Sequence, residues 1–287
     1  VPPDPLDLLH CGDRRRIGVY LVETDDGLAL FDCGPTSCLP ALRDALEERG
    51  VELGDLRHLL LSHIHLDHAG AAGALVRANP ALTVHVSDVG LPHLVDPARL
   101  ETSARRLYGE AFDDLWGELA PVPAENIRAT GDTVAGLRCF PTPGHARHHV
   151  SYLHEDGTLY AGDAAGVRIE PGSFVFAPTP PPDLDLEAWD ATLDELERRE
   201  PRALALIHFG VFDDVERHLA ALRETMHEWG ERVGHGMDEA TFVAAARADV
   251  AAAEPDEADA YDRAAPYWHC FLGLERYWRK RAEAVTV

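Results

Sequence analysis

The sequence lacks a CxxC pair. Its five cysteines, Cys11, Cys33, Cys38, Cys139 and Cys270, are scattered and odd in number. No cysteine zinc knuckle or disulfide framework is therefore indicated, and reduced thiols in a cytoplasmic protein are expected. Nor is there an apolar run near the roughly 18 residues of a membrane span, so no membrane partner is expected. No signal peptide is visible, although a sequence beginning at Val1 leaves a trimmed leader open. Runs of Lys or Arg are also missing: 26 basic against 50 acidic side chains give a formal net charge of −24. Such a surface repels nucleic-acid phosphates and anionic lipid, so nucleic acid is not an expected partner.

What remains is an ordinary globular composition. The chain has 287 residues, 46% hydrophobic and 26% charged, enough to bury a large core. Ile17–Thr24 and Leu28–Asp32 read as strands around the turn Asp25-Asp26-Gly27. Cys38–Arg49 has helical apolar spacing through Leu39, Leu42, Ala45 and Leu46, and Gly50 stops it. Leu56–Leu61 is a short buried strand, Ala69–Ala78 a helix, and Leu82–Val86 a strand. From about Pro92 to Leu119 an amphipathic helix carries Tyr108, Phe112, Leu115 and Trp116 on one stripe. That stripe suits a core face or a lid over a pocket. Asp132–Phe140 and the pair Val150–Leu153 and Thr158–Ala161 read as hairpins, Leu186–Arg199 as a helix, and Ala203–Ile207 as a last strand. Beyond Phe212 the chain reads as two helices over Val215–Val250, an acidic weakly structured stretch over Ala251–Ala260, and a final aromatic helix over Tyr261–Arg281. We therefore expect a main domain over 1–212 and a helical extension over 213–287 packed on it.

The chemistry concentrates in Ser62-His63-Ile64-His65-Leu66-Asp67-His68, with three histidines and one aspartate in six residues. On an extended segment His63 and His65 point the same way, whereas Asp67 and His68 lie past a bend. His63, His145, Asp163 and His208 each follow a predicted strand. Loops at strand ends let a rigid sheet converge side chains on one point. Imidazoles with carboxylates suit zinc, and also manganese or iron. Seven such groups are too many for one tetrahedral ion and enough for two ions sharing a carboxylate.

The motif His63-x-His65-x-Asp67-His68, followed by His145, Asp163 and His208, resembles the metallo-β-lactamase superfamily, glyoxalase II and lactonase-like branch. The resemblance runs from about Ile17 to Phe209 and includes Asp32-Cys33-Gly34, Thr142-Pro143-Gly144-His145 and Ala161-Gly162-Asp163. It implies an α/β fold, a four-layer αββα sandwich. It implies that His63, His65 and His145 hold one divalent ion, that Asp67, His68 and His208 hold a second, and that Asp163 bridges them, with Asp32 buttressing from behind. It implies a dinuclear hydrolase, with zinc first and iron or manganese as alternatives. A metal-bridging hydroxide would attack a small ester, thioester or lactone, and Asp67 would orient it or pass a proton.

His148 and His149 are candidate neighbours of the site, Arg168 a residue near it that would meet an anionic substrate group or pair with a surface acid, and Phe174 and Phe176 candidate walls of an apolar pocket. His10, His58, His85, His93, His154, His218, His227, His235 and His269 read as structural or surface groups. Tyr267, Trp268 and Trp278 are candidates for a wall from the C-terminal helix, with plain packing as the simpler reading. The expected partner is a small-molecule substrate, and a homodimer stays open. A one-iron persulfide dioxygenase on the same fold is the main alternative; such enzymes lose or displace second-site ligands that this chain keeps. Diiron flavoprotein relatives have Glu where this chain has His65. A phosphodiesterase is a further alternative. β-Lactam cleavage is disfavoured, because those enzymes use other second-site ligands and are exported.

Overall fold

The computed structural model describes residues 3–285; Val1, where a trimmed leader was left open, lies outside them. Two mixed sheets have six strands each among the described residues. The first holds β1 (Leu6–Asp7), β2 (Gly18–Thr24), β3 (Gly27–Phe31), β4 (Leu56–Leu60), β5 (Thr83–Val86) and β6 (Ile127–Ala129), side by side in that order. Strands β1 to β3 are antiparallel, and β3 to β6 run parallel. The second holds β7 (Thr133–Val134), β8 (Leu137–Pro141), β9 (Val150–Leu153), β10 (Thr158–Tyr160), β11 (Ala203–Leu206) and β12 (Gly210–Phe212), antiparallel except for the β10–β11 pair. The helices are α1 (Leu39–Glu48), α2 (Leu66–Ala69), α3 (Ala72–Ala78), α4 (Leu91–Val95), α5 (Ala98–Tyr108), α6 (Phe112–Trp116), α7 (Leu186–Arg198), α8 (Val215–Gly234), α9 (Glu239–Ala253), α10 (Ala258–Ala264) and α11 (Tyr267–Val285).

Helices cover the outer face of each sheet, giving the αββα sandwich. On the first sheet α1 turns Leu42 and Leu46, one turn apart, into the core. That core continues between the sheets through Leu59, Leu60, Val84, Tyr152 and Ile207. Two phenols fasten the sheets together beside the later site. The Tyr20 hydroxyl donates toward Leu206 O at 2.6 Å and Gly210 O at 2.9 Å, and that of Tyr152 donates to Leu61 O at 2.9 Å. These bonds hold the ends of β4 and β11, where His63 and His208 follow.

A second core lies on the outer face of the second sheet. There α7 is capped by the Asp185 carboxylate, which accepts from the Ala188 N–H. Trp189, Trp229, Phe242, Tyr261 and Tyr267 are all fully buried there. The C-terminal helices therefore share a core with the second sheet. Gly273 on α11 is the close approach that seats them, since a Cβ there would stand 1.9 Å from Thr179 O.

The sequence reading needs correction at the breaks. The helix expected over Pro92–Leu119 is three helices, interrupted at Asp96-Pro97 and at Gly109, whose φ is +57°. The expected weak stretch Ala251–Ala260 is the end of α9 and the start of α10, and the final aromatic helix is split at Ala265-Pro266. The helix expected from Ala69 begins earlier, as the α2 turn that carries Asp67 and His68. Strands β1, β6 and β12 went unread because they are two or three residues long. Among the described residues no helix is long and apolar enough to cross a membrane.

Candidate metal centre and the cavity above it

Each strand of the sandwich that bears on the site delivers its side chain from its C-terminal end. Asp32 follows β3, His63 and His65 follow β4, His145 follows β8, Asp163 follows β10 and His208 follows β11. His65 is extended, and α2 begins immediately after it and carries Asp67 and His68. The groups fall into three clusters with ligand atoms within 4.8 Å of one another: His63, His65 and His145; His63, His68 and Asp163; Asp67, His68 and His208. In the first, His65 Nδ1 is 2.8 Å from His63 Nε2 and 3.0 Å from His145 Nε2. Asp163, a member of the second, also reaches residues of the other two. Its Oδ2 is 3.4 Å from His145 Nε2, while its Oδ1 is 3.4 Å from His68 Nε2 and 3.9 Å from His208 Nε2. His208 Nε2 is also 3.5 Å from Asp67 Oδ2.

Hydrogen bonds on the far side of three rings set their tautomers. His145 Nδ1 donates to Pro178 O at 2.9 Å, and His208 Nδ1 donates to Arg16 O at 2.6 Å. A carbonyl only accepts, so in the neutral rings both Nε2 atoms present lone pairs to the centre. His68 Nδ1 is fixed by Asp32 Oδ2 at 2.8 Å. Asp32 itself sits at φ 54°, fully buried, and accepts from Ser62 N and Oγ.

Charge divides the site as the geometry does. Burial first, then neighbouring rings, pushes His63 and His65 well below the usual histidine range; burial lowers His145 as well, against Asp163. Burial thus favours the neutral form of all three rings. His68 behaves oppositely: burial opposes its charge, but Asp163, Asp67 and Asp32 outweigh it and hold the ring well above the usual range. For His208 burial is likewise overcome by Asp67 and Asp163. Against the cost of burial, His68 with His208 lowers Asp67, and His68 with His145 lowers Asp163. His68 Nε2 and Asp163 Oδ1 are buried with no hydrogen-bond partner among the described residues. Unpartnered ring nitrogens and carboxylate oxygens of this kind are a ligand set that fits divalent cations.

Further candidates divide. Asp32 meets His68, as described. His149 turns out to be a positioning residue: its Nε2 accepts from the Asp163 N–H at 3.1 Å, and its Nδ1 meets Thr142 Oγ1 at 2.7 Å. Gly162, at φ +52°, permits this approach, since a Cβ would stand 2.7 Å from His149 Nε2 and 2.6 Å from Ser62 Cβ. His148 is buried and stacks on His63 at 5.9 Å without lining the cavity. Arg168 is a correction as a site residue and meets the other expectation, an acid partner. Its guanidinium bonds Asp214 at 2.6 Å and lies over Phe212, away from the cavity, and only its backbone serves the site by bonding His208. Phe174 and Phe176 are also corrections, because both pack in the second core against Tyr261 and Trp229. Ser62 was missed; nothing in its sequence context announces a hydroxyl shared among Asp32, His63 and His68.

A cavity of about 510 Å³ opens over His65, Asp67, His145, Asp163 and His208. One wall comes from α5 and α6 through Leu100, Ala104, Leu107, Tyr108, Leu115 and Trp116. The aromatic stripe is thus partly a pocket wall, with Phe112 buried behind it beneath Arg105. A second wall is the proline loop Pro178–Pro182 with Trp268 and His269 of α11, where His269 meets Tyr108 of the first at 6.2 Å between ring centroids. That loop is tied to α11 by Thr179 Oγ1, which donates to Cys270 O at 3.1 Å. Trp268 therefore contributes a wall, whereas Tyr267 and Trp278 are spent on packing and bond Ala258 O and Gly230 O. His10 and His269, read as structural groups, both line the cavity.

Comparison with known proteins places this arrangement. The model of the metallo-beta-lactamase superfamily matches residues 13–210. A metallo-beta-lactamase fold-containing protein of Sulfurisphaera tokodaii, ST1585, is 29% identical over 178 residues, 58% of this chain and 66% of that one. The chain thus spans just under two thirds of that curated relative's length. The solved structure of the family protein TTHA1429 from Thermus thermophilus superposes with a TM-score of 0.65 at 22% identity, covering 98% of this chain and 92% of that one. TTHA1623, solved in a di-iron-bound form, gives 0.56 at 26% identity over 78% of this chain and 98% of that one.

Proposed function

Because the chain belongs to the metallo-beta-lactamase superfamily, we propose that it is a metal-dependent hydrolase with a two-cation centre, cleaving a small ester, thioester or lactone. The observation that carries this reading is the position of Asp163, whose two oxygens face different clusters. His63, His65 and His145 would hold one cation, and Asp67, His68 and His208 the other. When bound, the cations supply a nucleophile at neutral pH and polarise the carbonyl under attack.

The protein's own groups do the rest. Asp67 lines the cavity with its side chain 21% exposed, so it is the carboxylate that meets substrate. Held ionised by its imidazole neighbours, it accepts a hydrogen bond and orients the nucleophile better than it removes a proton. Burial raises the Tyr108 phenol, which stays protonated and able to donate into the cavity. The walls are mainly apolar and suit an acyl chain. Arg16, Arg106 and Arg263 also line the cavity, in a chain of net charge −24, and suit an anionic product such as a carboxylate. The one-iron alternative leaves Asp67, His68 and His208 without a task. A hydrolysis screen over lactones, thioesters and phosphodiesters, with metal content measured on the same sample, tests the proposal. Cleavage of lactones or thioesters by protein holding two ions is expected; cleavage of phosphodiesters alone would refute the substrate class.

A further inference from the structure

We infer that His58 and His85 form a further divalent-cation site, separate from the centre around Asp163, with Asp26 orienting one of the two imidazoles. His58 lies on β4, His85 on the adjacent β5, and Asp26 on the turn between β2 and β3. The three side chains thus span neighbouring strands of the first sheet, and none belongs to the clusters around Asp163. His58 Nδ1 and His85 Nε2 face each other at 3.0 Å, with ring centroids 5.1 Å apart. The first cluster sets its ring nitrogens at the same spacing, 2.8 and 3.0 Å. Two imidazole nitrogens on one ion, each about 2.0–2.1 Å from it, stand about 2.9–3.4 Å apart across a right or tetrahedral angle.

The far side of His58 is fixed as a ligand's would be. Its Nε2 donates to Asp26 Oδ1 at 2.8 Å. A carboxylate accepts, so in the neutral ring the hydrogen sits on Nε2 and the Nδ1 lone pair turns to His85. A carboxylate behind an imidazole in this way sets the tautomer and raises the basicity of a metal-bound histidine. Burial first, then His58 and Arg128, lowers His85 to about 4, so its ring is neutral at pH 7. Without a cation, one hydrogen on His85 Nε2 joins the two rings. On binding, that hydrogen moves to His85 Nδ1, both lone pairs turn to the ion, and no proton is lost. Both histidines are half-buried and the Asp26 side chain is 67% exposed, so water can reach the site and complete the coordination. The Arg128 guanidinium opposes the ion's charge, although it is engaged at Ile127 O at 2.7 Å. Two protein ligands hold an ion less firmly than the larger set around Asp163, so this site fills only when the ion is supplied. The inference does not rest on the hydrolase reading.

The test is calorimetric titration of the metal-loaded full chain with nickel(II) chloride, with elemental analysis before and after to follow the ions already bound. One added nickel per chain is expected, with those ions retained. His58→Gln and His85→Gln should each weaken the added nickel by at least about 100-fold, and Asp26→Ala by about 10-fold. Asp26 stands on an exposed turn and its removal leaves both rings in place, so that variant decides the matter if an imidazole variant fails to fold. Absence of added nickel in the unaltered protein would overturn the inference. So would nickel binding that His58→Gln and Asp26→Ala leave unchanged, which would place the ion at other histidines.

Discussion

Asp163 offers one oxygen to His145 and the other to His68 and His208, so its loss should be felt at both proposed cation positions. Asp163→Ala is expected to bring metal content from about two ions per chain to below one, and to lower hydrolysis by at least about 10³-fold; retention of two full-occupancy ions would refute the shared role. Asp32 acts one step back, through His68 Nδ1. Asp32→Ala should weaken metal binding by about 10–100-fold in competition with a chelator, with the ligands themselves intact. At this scale the chemistry-bearing residues were legible, because three histidines and an aspartate in six residues have few other uses. Ser62 and His149 were not, since their partners are Asp32 oxygens and the Asp163 N–H, which only the fold brings near. Arg168, Phe174 and Phe176 misled for the converse reason: near the motifs in sequence, they are turned toward the second core and Asp214.

The two walls of the cavity are built by elements outside the sheets. Ala104 lies on the α5 wall, 9% exposed. Ala104→Phe should occupy part of the cavity and lower kcat/KM for acyl substrates by at least about tenfold, near 1.4 kcal/mol, at unchanged metal content; an unaltered kcat/KM would place the substrate elsewhere. Most strands and the longer helices were legible from apolar spacing and turn residues. The breaks at Pro97, Gly109 and Pro266 were visible as residues but overridden by the continuing amphipathic pattern. These breaks let α5, α6 and the start of α11 close on the cavity, so the pocket was less legible than the centre beneath it.

Across the whole molecule, two further results are expected. The C-terminal helices complete the second core with Trp229, Phe242, Tyr261 and Tyr267. We therefore propose that the catalytic part does not stand alone: a chain ending at Phe212 should aggregate or fail to show a cooperative thermal transition, and a cooperatively melting fragment would contradict this. His218 lies in the same core, its pKa lowered by burial to about 4 from the usual 6.5 while its Nε2 donates to Ala165 O. Its folded value is depressed, so the stability it permits is present above about pH 6.5 and lost as the pH falls through about 4, up to about 3 kcal/mol. His218→Phe should be less stable at pH 7, leaving Ala165 O unpaired, yet lose less stability on acidification across that window in denaturant titrations.

The proposed two-cation centre is tested most directly by elemental analysis of the native protein purified without chelator. About two divalent ions per chain are predicted. One iron and no second ion would contradict the account and favour oxidative chemistry on the same fold.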